Sequence, residues 1–566
     1  MIISKKSSWQ FVVPVLLGML FGICTFASYN NGQVSFLAPS LYFLMVLFAV
    51  LFCTVFILFE RYLSEDGNVY HSRRFDEPWP CHNAVGLFLR RVLPLKWSIK
   101  NVALSSGIIL VFWLPYIVLA YPGIYWWDTT LQIAEFFSVP RVLWDQHPFM
   151  DSIVFGFFAK IGIRCWGNAF AGLYMFIILQ CVAAAIALAM VAIALSDYSV
   201  SWFWRITCLL FFAIWPAYPR MFTTVAKDTV FSPILVIFVI MFCSLMKSQG
   251  EKIRQWRFSL PFLLVCIGMC VTRKTGVYIV LGSMILLVFS KFAAKIKAWC
   301  VAFGVAVFLL CSVAIPAVAY PTLHILPGLK QDAWSLPIQQ LANAVVQNPD
   351  SFSDHEKEII QQYYAQDIPT LEKNYSFVAA DPVKGPVTMN GQQEFVSIWA
   401  THFFTNQQEY MSAFAGLAAG WFSFPIPAQS IYDINAYINI PYNSEHHYEG
   451  IEPLPRWSSH TLGEKTIPHL ETIVTQIPII NVLSSKALWG SILPFLCLFL
   501  VLRKRSDKRS NAVCCLMPLL LTVATLYVGP TSLYQEGTRY VFPILCAMPL
   551  WLAISIKSID PGDDIS

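Results

Sequence analysis

The chain has 566 residues, 57% hydrophobic and 13% charged, where a soluble domain runs at about 45–50% apolar and about 25% charged. That composition excludes a soluble enzyme, a disordered chain and a nucleic-acid binder. The net charge is only +5, so the placement of the basic residues, which sets membrane topology, matters more than their sum.

In chain order, Lys5 and Lys6 precede an apolar run ending near Tyr29 that lacks a small-residue cleavage site, which predicts a retained helix and not a signal peptide. A hydrocarbon core of about 30 Å needs roughly 20 apolar residues per helix. That length picks out segments near 11–29, 40–60, 102–121, 169–195, 202–217, 229–247, 258–272, 277–290, 298–320, 487–502, 512–528 and 540–556. The expectation is an all-α polytopic membrane protein with about twelve transmembrane helices.

Basic residues are retained on the inner side of short loops. Lys5 and Lys6 therefore put the N-terminus inside, together with loop 61–100 (Arg61, Arg73, Arg74, Arg90, Arg91, Lys96, Lys100), Lys247 to Arg257, Lys291 to Lys297, and Arg503 to Arg509. The C-terminus is then inside as well, in the cytoplasmic membrane, and the longest polar stretch lies outside. This holds on condition that Phe149 to Ile163 does not cross. That stretch carries Asp151 and Lys160, each costing about 2.5–3.5 kcal/mol at a helix centre, and it reads as a helix in the outer interface. A basic counterpart at Ala84 to Trp97 reads as a helix on the inner face.

Four parts follow: residues 1–100 with two helices and a basic loop, a core at 101–320 with the first outer loop, an extracytoplasmic insert at 321–485, and closing helices at 486–566. The insert contains no cysteine, so it relies on its own core or on docking to the membrane part. Ser335 to Gln347 and Ser353 to Tyr364 read as helices, the second opened by a capping box of Ser353 and Glu356. Phe424 to Pro455 reads as short strands and turns, giving a mixed α/β insert.

No predicted span carries an ionisable residue near its midpoint, where proton relays and ion-coupled transporters place theirs. The ionisable groups gather instead where outer loops meet helix ends. The first outer loop holds Asp128, Gln132, Asp145 and His147, the next ends in Lys227 and Asp228, the third carries Arg273 and Lys274, and the last Glu536 and Arg539. Such a set suits attack by an acceptor hydroxyl on a polyprenyl-phosphate sugar. The reaction needs a carboxylate to take the hydroxyl proton and cations to stabilise the departing phosphate. Asp128 is the candidate base, Asp145 a second carboxylate, and His147 an orienting group. Lys227, Asp228, Arg273, Lys274, Arg539 and Gln132 are candidates for the substrate. Asp128 and Asp145 are also the residues that would hold a divalent metal if one takes part.

The acidic residue after an early helix and the Asp145-Gln-His147-Pro148 element, followed by many spans and a late ectodomain, resemble the GT-C superfamily of membrane glycosyltransferases, above all its protein O-mannosyltransferase branch. The resemblance implies a GT-C-like fold, Asp128 as base or metal holder, a polyprenyl-phosphate sugar donor and a glycan, lipid or protein acceptor. Tyr121-Pro-Gly, Lys227-Asp-Thr-Val-Phe-Ser232 and Arg539-Tyr-Val-Phe-Pro543 also look like an uncharacterised family of large bacterial membrane proteins related to these transferases. The mannosyltransferase pattern has an Asp-Glu pair and two prolines after its histidine. Here Thr129 follows Asp128, and Pro148 alone follows His147.

Structural roles stay open beside these. Asp128, Asp145 and His147 sit where helix caps belong, and Lys227 with Asp228 reads equally as a mutual surface pair. Adjacent His446 and His447, near Glu445 and Glu449, lack the spacing of a zinc site and read as a solvated loop. A polysaccharide polymerase or ligase, or a flippase for lipid-linked glycans, is the alternative function.

Overall fold

The computed structural model describes residues 11–63, 90–424, 462–503, 506–529 and 537–556. The inner-face helix expected from Ala84, the strands expected from Phe424 to Pro455, the histidine pair at 446–447 and Glu536 fall wholly or largely outside them. In the first half the helices are α1 (Val12–Tyr29), α2 (Pro39–Leu63), α3 (Ile99–Leu119), α4 (Trp127–Phe136), α5 (Phe149–Trp166), α6 (Ala169–Ala194), α7 (Trp202–Ile214), α8 (Ala217–Phe222) and α9 (Lys227–Lys247). After them come α10 (Trp256–Thr272), α11 (Thr275–Ile285), α12 (Ala294–Leu309) and α13 (Ile315–Leu323), the last two joined by a π turn at Leu310–Ala314.

Every one of the twelve predicted apolar segments is helical. Among the described residues, eight helices are long and apolar enough to cross a membrane, and four apolar helices, Trp202–Ile214, Trp256–Thr272, Thr275–Phe289 and Leu488–Leu502, are shorter. The protein is therefore an all-α polytopic membrane protein. Helix α5 buries Asp151, Ser152, Phe155, Ala159 and Gly162 along one stripe and leaves Lys160 exposed, the pattern of an amphipathic helix. It lies tight on α6, because a side chain on Gly162 would strike the backbone of Gly172, and one on Gly172 the backbone of Gly162.

The basic loops meet at one end of the bundle. Lys247 pairs with Asp197, which also accepts from the Trp97 ring nitrogen. Arg503 reaches Glu60 at 2.5 Å, and Lys291 donates its backbone N–H to Asn511. These contacts put loops separated by hundreds of residues on one face, as their shared charge requires.

Apart from a short strand near its start, the described residues of the insert are mainly helical: α14 (Ser335–Gln347), α15 (Asp354–Tyr364), α16 (Ile368–Asn374), α17 (Asp381–Lys384), α18 (Gln392–His402), α19 (Gln407–Phe422), α20 (Leu462–Thr475) and α21 (Pro478–Leu483). The capping box at α15 forms as expected: Ser353 Oγ accepts from Glu356 N, and Glu356 Oε2 accepts from Ser353 N. The insert satisfies both routes to stability. It has its own core of Ile338, Leu341, Tyr363, Tyr364 and Phe395, and it docks. The small-residue run Ala413–Phe422 sinks α19 into the membrane-part core, where Phe422 meets Phe21 edge-on and Ser412 accepts from Val34 N.

Two short parallel pairings tie the other end of the bundle together. Strand β1 (Ile124–Tyr125) pairs with β3 (Thr224–Val225), and β2 (Leu143–Asp145) with β4 (Ile325–Pro327). The first sets the start of α4 beside the start of α9; the second fastens the first loop to the head of the insert. Helices α22 (Leu493–Leu502), α23 (Ser506–Val528) and α24 (Gly537–Ile556) complete the chain. The first turn of α24 returns to this same end.

Candidate functional site

Because β1 and β3 lie side by side, the two residues that follow them in their helices become neighbours. Thr129 Oγ donates to Val225 O at 2.6 Å and pins the first turn of α4. Thr229 accepts from Ala226 N and donates to Gln180, fixing the first turn of α9. Gln180, a buried polar side chain on α6, donates its amide to Phe222 O and Thr224 O and so holds the β3 turn. Asp128 and Asp228 thus sit in first turns, where the helix dipole favours a carboxylate.

Asp128 is the centre of the cluster. Arg539 NH1 donates to its Oδ2 at 2.6 Å and Lys227 Nζ at 3.1 Å, while His147 Nδ1 lies 3.6 Å away. Burial raises the affinity of Asp128 for a proton, but Arg539 and Lys227 outweigh it and hold the carboxyl well below the usual range. Lys227 also stands 3.0 Å from His147 Nδ1. Burial and Lys227 push His147 down to about 3, so its ring is neutral at neutral pH.

A second layer lies beneath. Asp228 is fully buried, with Arg273 NH1 at 3.3 Å and Arg539 Nε at 3.6 Å. The two guanidinium groups lean on Tyr540, Arg273 at 4.9 Å and Arg539 at 5.0 Å from the ring centre, and Arg539 also covers Trp126 at 5.1 Å. The surface pair read for Lys227 and Asp228 does not form: the lysine serves Asp128 and the aspartate serves the arginines.

The third layer faces the insert. Lys274 Nζ lies 3.3 Å from Asp145 Oδ2 and donates to the Asp145 backbone carbonyl; Tyr320 donates its hydroxyl to the same carboxylate at 2.7 Å. Gln146 donates to Asp332, which with Asp381 flanks Lys384 at 2.8 Å each. The cap roles left open for Asp145 and His147 are not taken, since the α5 N-cap is Pro148 and carries no side-chain cap bond. Gln132 is buried at the margin, its amide 3.5 Å from Pro148 O.

All nine candidate residues therefore lie at one end of the bundle: Asp128, His147, Lys227, Asp228, Arg273 and Arg539 are joined by contacts of 3.6 Å or less, and Asp145 with Lys274 forms a separate pair. Sequence reasoning missed Tyr320, Tyr540 and Asp151. Asp151 had weighed only as an obstacle to a crossing. It is buried near Lys227 and Asp228, burial raises it well above the usual carboxylate range, and its Oδ2 has no hydrogen-bond partner. The signal available for it was its position three residues after Pro148, on the stripe that α5 buries.

Asp128 and Asp145 do not fit a divalent ion. Oxygen Oδ2 of each carboxylate is occupied by cations or a hydroxyl, and among the described residues no three His, Cys, Asp or Glu side chains converge on a metal-sized space.

Fold and cluster together define a helical, polytopic membrane protein with a charged site built from helix ends. The chain belongs to DUF6020, a family of unknown function whose match covers residues 138–558. Every site residue falls within that range except Asp128 and Gln132. No curated protein and no solved structure matches the chain.

Proposed function

We propose that this protein is a glycosyltransferase that moves a sugar from a polyprenyl-phosphate donor to an envelope or cell-surface acceptor on the outer face of the cytoplasmic membrane. One observation carries the reading: four cations, Lys227, Arg273, Lys274 and Arg539, face three carboxylates, Asp128, Asp145 and Asp228, at a helix-end site. His147 is held neutral and burial favours the protonated form of Asp151, so neither offsets the four cations, and such a cluster suits a phosphate ligand.

Under this reading the events follow an order. In the free protein Asp128 is a poor base, because Arg539 and Lys227 stabilise its ionised form. A donor phosphate competes for these two cations, and as they turn toward it the Asp128 carboxylate regains basicity. The acceptor oxygen then forms a bond to the anomeric carbon, the bond from that carbon to the phosphate oxygen breaks, and polyprenyl phosphate leaves with the electron pair. The hydroxyl proton passes to Asp128. Arg539 supplies the forked contact and Lys227 a point charge on the leaving phosphate. Under this reading the insert, fastened through β2 and β4 and through Gln146 to Asp332, selects the acceptor.

The test is release of polyprenyl phosphate from a sugar donor by purified protein. Wild type releases it and Asp128→Asn, compared at equal folded amount, does not. Full activity in that variant would move the chemistry to the arginines, as a polymerase or ligase requires.

A further inference from the structure

Lys227 stands between two partners. A lysine ammonium has three N–H donors and no acceptor. One donor serves Asp128 Oδ2 at 3.1 Å, and another points at His147 Nδ1 at 3.0 Å. Nδ1 must therefore present its lone pair, since a hydrogen there would set donor against donor. We infer that Lys227 fixes His147 as the neutral tautomer with its hydrogen on Nε2, which makes His147 a hydrogen-bond donor to an anionic oxygen of the bound ligand.

Three observations support this beyond the single contact. The competing arrangement, an imidazolium bonded through Nδ1 to Asp128, would put two cations 3.0 Å apart and use the longer separation, 3.6 Å, for its only benefit. The other charges around the ring, Arg539 and Lys274, are cations that disfavour a charged imidazole. Nε2 makes no hydrogen bond to any described residue, and the side chain keeps 16% of its surface open. With one nitrogen facing an ammonium and the other carrying hydrogen, His147 is neither a base nor a metal ligand; the hydrogen bond at one ring nitrogen sets the chemistry of the other.

Only the identity of the ligand rests on the function proposed above, so the experiment has two arms. In the first, full-length protein labelled with 15N-histidine is placed in lipid nanodiscs, and His147 is assigned by its loss in His147→Gln. A pyridine-like Nδ1 and a pyrrole-like Nε2 are expected, and Lys227→Met should mix the tautomers. A hydrogen on Nδ1 in wild type, or a doubly protonated ring at neutral pH, would overturn the inference, even if Lys227→Met fails to fold. In the second arm, farnesyl phosphate is titrated in. The Nε2 resonance should shift on binding, and His147→Phe should bind about tenfold more weakly than His147→Gln, whose amide N–H can replace the lost donor. Binding that leaves Nε2 unmoved and treats both variants alike would overturn the donor role. Failure of farnesyl phosphate to bind wild type would count against the phosphate reading, while the first arm still decides the tautomer.

Discussion

Arg539 donates to Asp128 at 2.6 Å across 411 positions of sequence, and its Nε lies 3.6 Å from Asp228. One guanidinium, 2% exposed, therefore bridges the first turns of two helices. A buried charge with two counter-charges is stable, and removing either leaves an uncompensated ion.

Asp228→Asn should accordingly be the most destabilising change in the cluster. Asp228 is fully buried against two guanidinium groups, and breaking a buried pair costs about 3–5 kcal/mol. Thermal unfolding of the solubilised variant should show a clearly lowered midpoint, and an unchanged midpoint would mean that Arg273 and Arg539 do not depend on it.

Arg539→Lys keeps the charge and loses the planar fork that serves Asp128 and Asp228 together. Donor affinity should fall about tenfold, equivalent to roughly 1.4 kcal/mol. Titration of purified protein with polyprenyl phosphate measures it; wild-type affinity would take Arg539 out of the phosphate contacts.

Glu135 gives the fold a pH signature. Burial lifts it to about 7, with bonds from Trp144 N and Ser152 only partly opposing. The folded chain thus holds this proton more tightly than the unfolded chain, whose carboxyl titrates near the ordinary 4.5. Stability from this group is full below that value and declines as pH rises through about 7. Glu135→Gln should match wild type in acid and unfold at a higher temperature at pH 8; identical midpoints at pH 8 would show that Glu135 is ionised without cost.

Gly328 lies where β4 meets the site, and a Cβ there would strike the Asp145 carbonyl and crowd Lys274 Nζ. Gly328→Ala should cost about 1–3 kcal/mol as overpacking and lower transfer by displacing Asp145. Unfolding midpoint and transfer rate on the same sample check both effects.

Topology has a direct test. In a background without cysteine, Asp354→Cys on the insert should react with a membrane-impermeant thiol reagent applied to intact cells, and Glu251→Cys in a basic loop should not. Both parent side chains are well exposed, so reversed labelling would invert the orientation.

The spans were legible because each is a local property. About twenty apolar residues carry their own transfer free energy wherever they fall in the chain, and all twelve predicted segments are helices, although among the described residues eight helices have the length and composition to cross. The α15 capping box was legible for the same reason, since its partners are three residues apart. The insert was less so. Its cysteine-free polar composition hid the run Ala413–Phe422, whose small residues count only once α19 is packed against α1 and α14. Its described part is mainly helical, with one short strand, β4, that pairs with the first loop.

The site divides along the same line. Charge is scarce in this chain, so Asp128, Asp145, Lys227, Arg273 and Arg539 stood out from sequence alone. Which acid meets which base did not, because ion pairing depends on distance and burial, and both follow from strand pairing and helix packing. Adjacent Lys227 and Asp228 look like a pair, yet in successive positions of a helix they face different ways. Tertiary structure gives the lysine to Asp128 and His147 and the aspartate to two arginines. It also brings Tyr320 to Asp145 and Asp151 close to Lys227 and Asp228, and sets Tyr540, the neighbour of Arg539, against both guanidinium groups.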